Sequence, residues 1–271
     1  MEVVALHSLS NRITFSARWQ QAPFRAPHHT SSAVALVGGG SSLNTGEISL
    51  AHHGVLFLDE LPEFSPKVLD GLRQPMESGH IRISRARYQV CLPASFQLIA
   101  AMNPCPCGHY GNPERECRCT PDRIRNYQQR ISGPLLDRID LHIRVAGLGK
   151  AERESLLKCT ANAFVKRGSN SQTMRQMVQQ CRALQLQRAG VLNARLEQSQ
   201  ITAHCALQAK DQTLLADLMH KLRLSPRACM RILKIARTLA DLENVSGIKS
   251  AHLLEAAGYR QSAEPCSAFS A

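Results

Sequence analysis

Several sets of residues in this chain have the types and spacing to do chemistry. Asp59 and Glu60 stand side by side directly after Val55–Leu56–Phe57–Leu58, an unbroken apolar run. Such a run reads as a strand buried on both faces of a parallel sheet, and ligands of open α/β sheets gather at the carboxyl ends of the strands. In nucleotide hydrolases an acid at that edge holds magnesium, usually through its water shell, and a neighbouring acid can orient the attacking water. A strand that simply ends in a polar turn leaves the same trace. Asn103 follows a second apolar run, Gln97 to Met102, where its amide could hydrogen-bond a γ-phosphate or the attacking water. Followed by Pro104, it could equally be a turn former. Cys105 and Cys107, then nine residues, then Cys117 and Cys119 have the logic of a four-thiolate zinc site. The single residue inside each pair is tighter than the usual spacing, so reduced, metal-free thiols are the rival reading. Arg138, between Asp137 and Asp140, is placed to point across a subunit boundary or to form a surface ion pair.

The elements that must position these groups can be read in chain order. Residues 1–20 carry weak helical periodicity through Val4, Leu6, Leu9 and Ile13. Pro23 and Pro27 frame an extended stretch ending in His28–His29–Thr30; these histidines lack a second ligand pair at helical spacing and suit structural or DNA-facing roles. Gly38–Gly39–Gly40 marks a turn. Ser65–Pro66 suits a helix start, with Val68, Leu69, Leu72 and Met76 as the apolar face and Gly79 as the stop. Ile81, Ile83, Tyr88, Val90 and Leu92 alternate around Ser84–Arg85–Ala86–Arg87. That pattern predicts a β-hairpin with Arg82, Arg85 and Arg87 near its tip, facing a phosphate backbone or merely solvent.

A basic zone follows (Arg115, Arg118, Arg123, Arg125 and Arg130), then a break at Ser132–Gly133–Pro134 and a third predicted strand, Leu141 to Val145. Beyond Gly149 helical signals take over: 151–160, about 173–189 with Gly190 as stop, about 208–221, 226–242 and 248–258. Ser225–Pro226 opens the helix at 226, whose core face is Ile232, Leu233, Ile235, Ala236 and Leu239. A basic face of Arg227, Arg231, Lys234 and Arg237 runs beside it. Residues 1–150 are thus expected to form an α/β unit, 151–260 a small all-α domain, and 261–271 a loose tail.

Composition narrows the function classes. With 33 Lys and Arg against 21 Asp and Glu, the net charge of +12 favours a polyanionic partner such as nucleic acid. Aromatic residues make up 4% of the chain, too few for recognition of single strands by rows of stacking rings. No run approaches the ~20 apolar residues of a membrane helix. Six of the ten cysteines are scattered singly, which suits reduced thiols in the cytoplasm and not a disulfide framework. The phosphate-cradling pattern G-x-x-x-x-G-K-[S/T] is absent; Ser41–Ser42, with no lysine in reach, follow the triple glycine.

Taken in sequence, "FRAPHHTSSAVALVGGG", "GEISLAHHGVLFLDELPEFSPKVLDGLRQPMESG", "AAMNPCPCG", "CRCTPDRI" and "ISGPLLDRIDLHI" resemble the magnesium-chelatase-like AAA+ ATPases, in particular the bacterial ComM/YifB type linked to DNA uptake and branch migration. The resemblance covers residues ~1–258. It implies a partial AAA+ parallel-sheet core with β-hairpin insertions, followed by a small helical lid domain. By resemblance Asp59 and Glu60 correspond to the Walker B pair for Mg2+ and the attacking water, and Asn103 to sensor 1. Arg138 corresponds to the arginine finger acting on ATP of a neighbouring subunit, and Arg227 to sensor 2. Residues around 23–40 and 81–92 correspond to inserts that face DNA in the channel of a homo-oligomeric, hexameric ring. Family members carry, upstream of the part seen here, a Lon-protease-like domain and the Walker A loop; neither is in this sequence. Little or no ATPase activity is therefore expected of the chain alone, with an upstream fragment carrying Walker A as a possible partner. A non-hydrolytic DNA-binding or subunit-interaction module is the competing expectation. Nothing in the residues supports a porphyrin site.

Overall fold

The structure is a computed structural model that describes residues 2–9, 21–40, 44–85, 88–112, 114–145 and 170–261. Its strands are β1 (Phe24–Arg25), β2 (Gly38–Gly39), β3 (Asn44–Thr45), β4 (Val55–Leu58), β5 (His80–Arg85), β6 (Tyr88–Pro93) and β7 (Gln97–Ala100). The chain divides into two units, Met1–Ile139 and Asp140–Ala271.

In the first unit β1, β4 and β7 form a parallel sheet with β4 in the centre, in register Phe24↔Val55 and Leu58↔Ala100. The unbroken apolar run of β4 leads one to expect burial on both faces. Instead the sheet has one covered face. Leu56 and Leu58 are fully buried, whereas Val55 and Phe57 on the other face are half-buried. Phe57 stacks on Phe24 with ring centroids 6.2 Å apart, and Phe24 stays 64% exposed. Likewise β7 is not a buried strand: Leu98 and Ala100 pack on the core, while Ile99 is 43% exposed. The reason is side-chain alternation. Helices at Ala33–Val37, Pro66–Gly71 and Arg73–Ser78 supply a core for one face, and the side chains of the other are left half-buried or exposed.

Local signals set most of the joints. Ser32 accepts a hydrogen bond from the Ala35 amide at 3.1 Å and caps the Ala33–Val37 helix. Gly54 stands where a side chain cannot, since a Cβ there would lie 1.9 Å from the Pro23 carbonyl oxygen. Val55 N donates to that same oxygen and Gln97 N donates to the Gly54 carbonyl, so this close approach holds the three strands together. Pro66 begins a helix as expected, with Val68, Leu69 and Leu72 buried, and Gly79 ends the second helix at φ +70°. The expected hairpin is present: β5 and β6 pair antiparallel from His80↔Pro93 to Arg85↔Tyr88, with Ile81, Ile83 and Leu92 buried.

The second unit is helical. Ser171–Ala189 runs from an Asn170 cap to Gly190 at φ +70°, followed by Gln198–His204, Ala209–Lys221, Pro226–Leu242 and Ser250–Gln261. Ser225 caps the fourth through the Ala228 amide at 3.2 Å, and Ile232 and Ala236 are fully buried. The helix expected at 151–160 lies outside the described residues, and so does the tail expected at 261–271 except Gln261, which ends the last helix. A further expectation fails. Leu141–Val145 is not a strand; Leu141, Ile143 and Val145 are 47%, 70% and 90% exposed. An apolar alternation becomes a strand only where an edge is offered for pairing, and here the His142 amide bonds instead to the Tyr259 carbonyl at 2.9 Å, at the end of a helix.

Candidate functional site

The carboxyl edge of the sheet collects polar groups from all three strands. Asp59 and Glu60 leave the end of β4, and Asn103 follows β7 by three residues. Asp59, Glu60 and Asn103 are all exposed at that edge. Asp59 Oδ1 accepts the Glu60 amide at 2.8 Å, and Glu60 adopts a left-handed φ of +52°. That conformation costs a non-glycine residue about 1–3 kcal/mol and turns its side chain away from the strand direction. The Glu60 carboxylate lies 2.8 Å from His29 Nδ1. His29 in turn stacks on His28 at 4.1 Å and meets Phe64 edge-on at 6.5 Å. Sequence reasoning left His29 without a partner. Its signal was its place just after the strand beside the acidic one, but β1 is only two residues long and carries no pattern of its own.

The arginines differ in their surroundings. Arg138 folds back: it donates to the Pro134 carbonyl at 2.6 Å and pairs with Glu77 at 3.0 Å, with its side chain 14% exposed. Arg227 is exposed at the first turn of Pro226–Leu242. Its neighbours do not make a free basic face. Arg231 pairs with Asp140, and Lys234 donates to the Ala194 carbonyl at 3.1 Å. Burial, with the charge of Arg231, pushes the Lys234 amine down. Arg237 is buried against Asp241 at 2.9 Å and donates to the carbonyls of Val245 and Ser246. Burial alone would raise the Asp241 carboxyl, but hydrogen bonds from Arg188 and Asn193 and the charge of Arg237 outweigh it and hold it below the usual range. This network is structural, and no sequence pattern announced it.

Arg82 is exposed on β5; the side chains of Arg85 and Arg87 lie outside the described residues. Arg115, Arg118, Arg123 and Arg125 are exposed, while Arg130 pairs with Glu63 at 2.9 Å and lies over the Tyr127 ring.

The four clustered cysteines do converge. Cys105, Cys107 and Cys117 have sulfurs 3.4, 3.6 and 3.5 Å apart, and all four sulfurs, Cys119 included, lie within 4.8 Å of one another. All four are free thiols. Backbone hydrogen bonding from His109 helps draw the Cys107 thiol down to about 6. The Cys119 backbone favours the Cys117 thiolate, but burial and hydrogen bonds with Cys107 and Cys105 prevail and push it up to about 12. A second cluster, Glu2 with His52 and His53, has comparable spacing. There His52 Nδ1 accepts the Ser95 amide at 3.0 Å, so in the neutral ring Nε2 carries the proton and donates to Glu2 at 3.1 Å. That nitrogen has no lone pair for a metal, and the cluster reads as an anchor for the Glu2–Leu9 helix.

A partial α/β core with acids at the carboxyl edge of a parallel sheet, followed by a helical unit, has counterparts. Residues 1–153 match the family model "Magnesium chelatase, subunit ChlI", and residues 168–260 match "Magnesium chelatase, subunit ChlI C-terminal". The chain belongs to the magnesium chelatase family. Within that family it is 49% identical over 261 residues to the competence protein ComM of Haemophilus influenzae. It is 47% and 46% identical to proteins called YifB from Salmonella typhimurium and Escherichia coli. Each alignment takes in 96% of this chain and 49% of the relative, so the chain spans about half the length of the curated relatives it matches. Among the described residues no helix is long and apolar enough to cross a membrane.

Proposed function

We propose that this chain forms the sensor and lid portion of a ComM-type AAA+ ATPase that assembles as a ring, hexameric by family resemblance, and acts on DNA in the cytoplasm. The observation that carries the nucleotide part is the convergence of Asp59, Glu60 and Asn103 at one carboxyl edge, where hard carboxylate and amide oxygens suit Mg2+ and phosphate. Bound ATP–Mg2+ would supply the phosphoryl group and the charge to be stabilised. Asp59 would hold the ion's water shell, Glu60 would orient the attacking water, and Asn103 would bond the γ-phosphate or that water. Arg138 would serve as finger only by leaving Glu77, and Arg227 stands at the helix start that the resemblance assigns to sensor 2.

No phosphate loop with a lysine is encoded in the 271 residues. The purified chain is therefore expected to hydrolyse little or no ATP. Steady turnover by the chain alone would overturn that reading. Turnover restored by adding a fragment that carries G-x-x-x-x-G-K-[S/T] would support it. A second reading, a DNA-binding module without hydrolysis, draws on the exposed Arg82, Arg115, Arg118, Arg123 and Arg125. Binding to duplex DNA without nucleotide, weakening steeply with salt, would favour it.

A further inference from the structure

Residues 101–120 join β7 to the helix Pro121–Gln128, and among those described none is in a helix or strand. Irregular segments this long inside a folded unit are uncommon unless something other than secondary structure orders them. Hydrophobic burial cannot do so here. From Pro104 to Cys119 the sequence holds no Leu, Ile, Val, Met, Phe, Trp or Ala, and Tyr110 is its one large aromatic. What the segment does hold is two Cys-x-Cys pairs whose four sulfurs meet within 4.8 Å.

We propose that Cys105, Cys107, Cys117 and Cys119 bind one zinc ion tetrahedrally, and that this ion fixes the link between Asn103 and the Pro121–Gln128 helix. A Zn–S bond of ~2.3 Å places tetrahedral sulfurs roughly 3.8 Å apart. The separations of 3.4 to 3.6 Å among Cys105, Cys107 and Cys117 are near that edge length and far beyond a disulfide bond. The surrounding backbone is shaped for thiolates. Gly108 takes φ +78° directly after Cys107, the Gly108 amide closes a turn on the Cys105 carbonyl at 3.0 Å, and the Tyr110 amide donates to the Cys105 sulfur at 3.3 Å. An all-thiolate donor set selects zinc or iron and not magnesium or calcium. The knot is tied at both ends: Gln128 Nε2 donates to the Pro104 carbonyl at 3.0 Å, and Cys105 is fully buried. Zinc would thereby hold Asn103 at the sheet edge and present Arg115 and Arg118, which lie between the ligands, in a fixed geometry.

The metal content of the intact chain, purified without chelator, tests this. About one zinc per chain is expected, released as four thiols are titrated with an organomercurial. Cobalt in its place should show the intense visible bands of a tetrahedral tetrathiolate site. Chelation should speed amide exchange in residues 104–128 and leave the Pro226–Leu242 helix protected. Cys107→Ser and Cys119→Ser should lower bound zinc at least ~tenfold. A metal-free chain with unchanged exchange after chelation, iron in place of zinc, or a tetrathiolate cobalt spectrum retained by both variants would overturn the proposal. Should the variants fail to fold, the cobalt spectrum and exchange of the unsubstituted chain decide. None of these readouts depends on ATP or DNA, so the zinc site stands or falls apart from the nucleotide reading.

Discussion

Glu60 is the residue whose surroundings matter most for the proposed chemistry. Its left-handed backbone and its contact with His29 Nδ1 at 2.8 Å fix where the carboxylate stands at the sheet edge. In an ATPase restored with a phosphate-loop fragment, Glu60→Gln is expected to lower kcat by ~10²–10⁴ while nucleotide binding persists. His29→Ala should lower kcat by a smaller factor, about tenfold, because it positions Glu60 without touching substrate. Steady-state kinetics of the two variants would separate these effects. His52 carries a different prediction. Burial pushes its pKa down despite the hydrogen bond to Glu2. Its folded value is thus below the unfolded ~6.5, so the unfolded chain takes up the proton first. Its contribution is complete above that unfolded value and is lost as pH falls towards the folded one. Chemical denaturation of the first unit should show stability falling between pH 7.5 and 5.5, and His52→Gln should flatten that slope.

At the scale of elements, the joints of the sheet and the polar knot of the helical unit carry the stability predictions. Gly54→Ala drives a Cβ into the Pro23 carbonyl, where backbone and not a flexible side chain must move. A loss of about 3 kcal/mol is expected, read from the denaturation midpoint of the first unit. In the second unit Asp241 is 4% exposed and accepts from Arg188, Asn193 and Arg237. Arg237→Ala leaves that carboxylate short of a partner and should cost about 3–5 kcal/mol. Since the Asp241 pKa is depressed, its contribution is present above the unfolded carboxylate value and is lost as pH falls through the folded one. Acid unfolding should therefore begin at higher pH in Arg237→Ala than in the parent chain. A helix that sequence reasoning overlooked, Gln198–His204, was legible after all in its capping box of Glu197 and Gln200.

For the molecule as a whole, charge and size set the expectations. A net charge of +12 on a chain that spans about half of its relatives' length suits a polyanionic ligand. If the exposed arginines after the cysteine loop meet phosphates, Arg123→Ala/Arg125→Ala should reduce the slope of log K against log salt by about 2 and weaken binding to all sequences alike. Fluorescence anisotropy with a labelled duplex over a salt series would measure it. An unchanged slope would place the DNA contacts elsewhere.

Much of this protein could be read before any coordinate. Short-range physics determined the capped helices, the glycine stops, the hairpin and the apolar face of Val68, Leu69 and Leu72, because each depends on residues within a few positions of one another. That acids follow one apolar run and an amide follows another was legible for the same reason, but only tertiary pairing set the two strands side by side. Tertiary structure alone decided the rest. Whether β4 is covered on one face or two depends on which elements reach it, and whether Leu141–Val145 pairs depends on an available edge. Arg231 and Lys234 are taken up by partners 91 and 40 residues away, which periodicity along a helix cannot foresee. The cysteines show both limits at once: their types and spacing named a thiolate site, and only the folded loop brought the four sulfurs together.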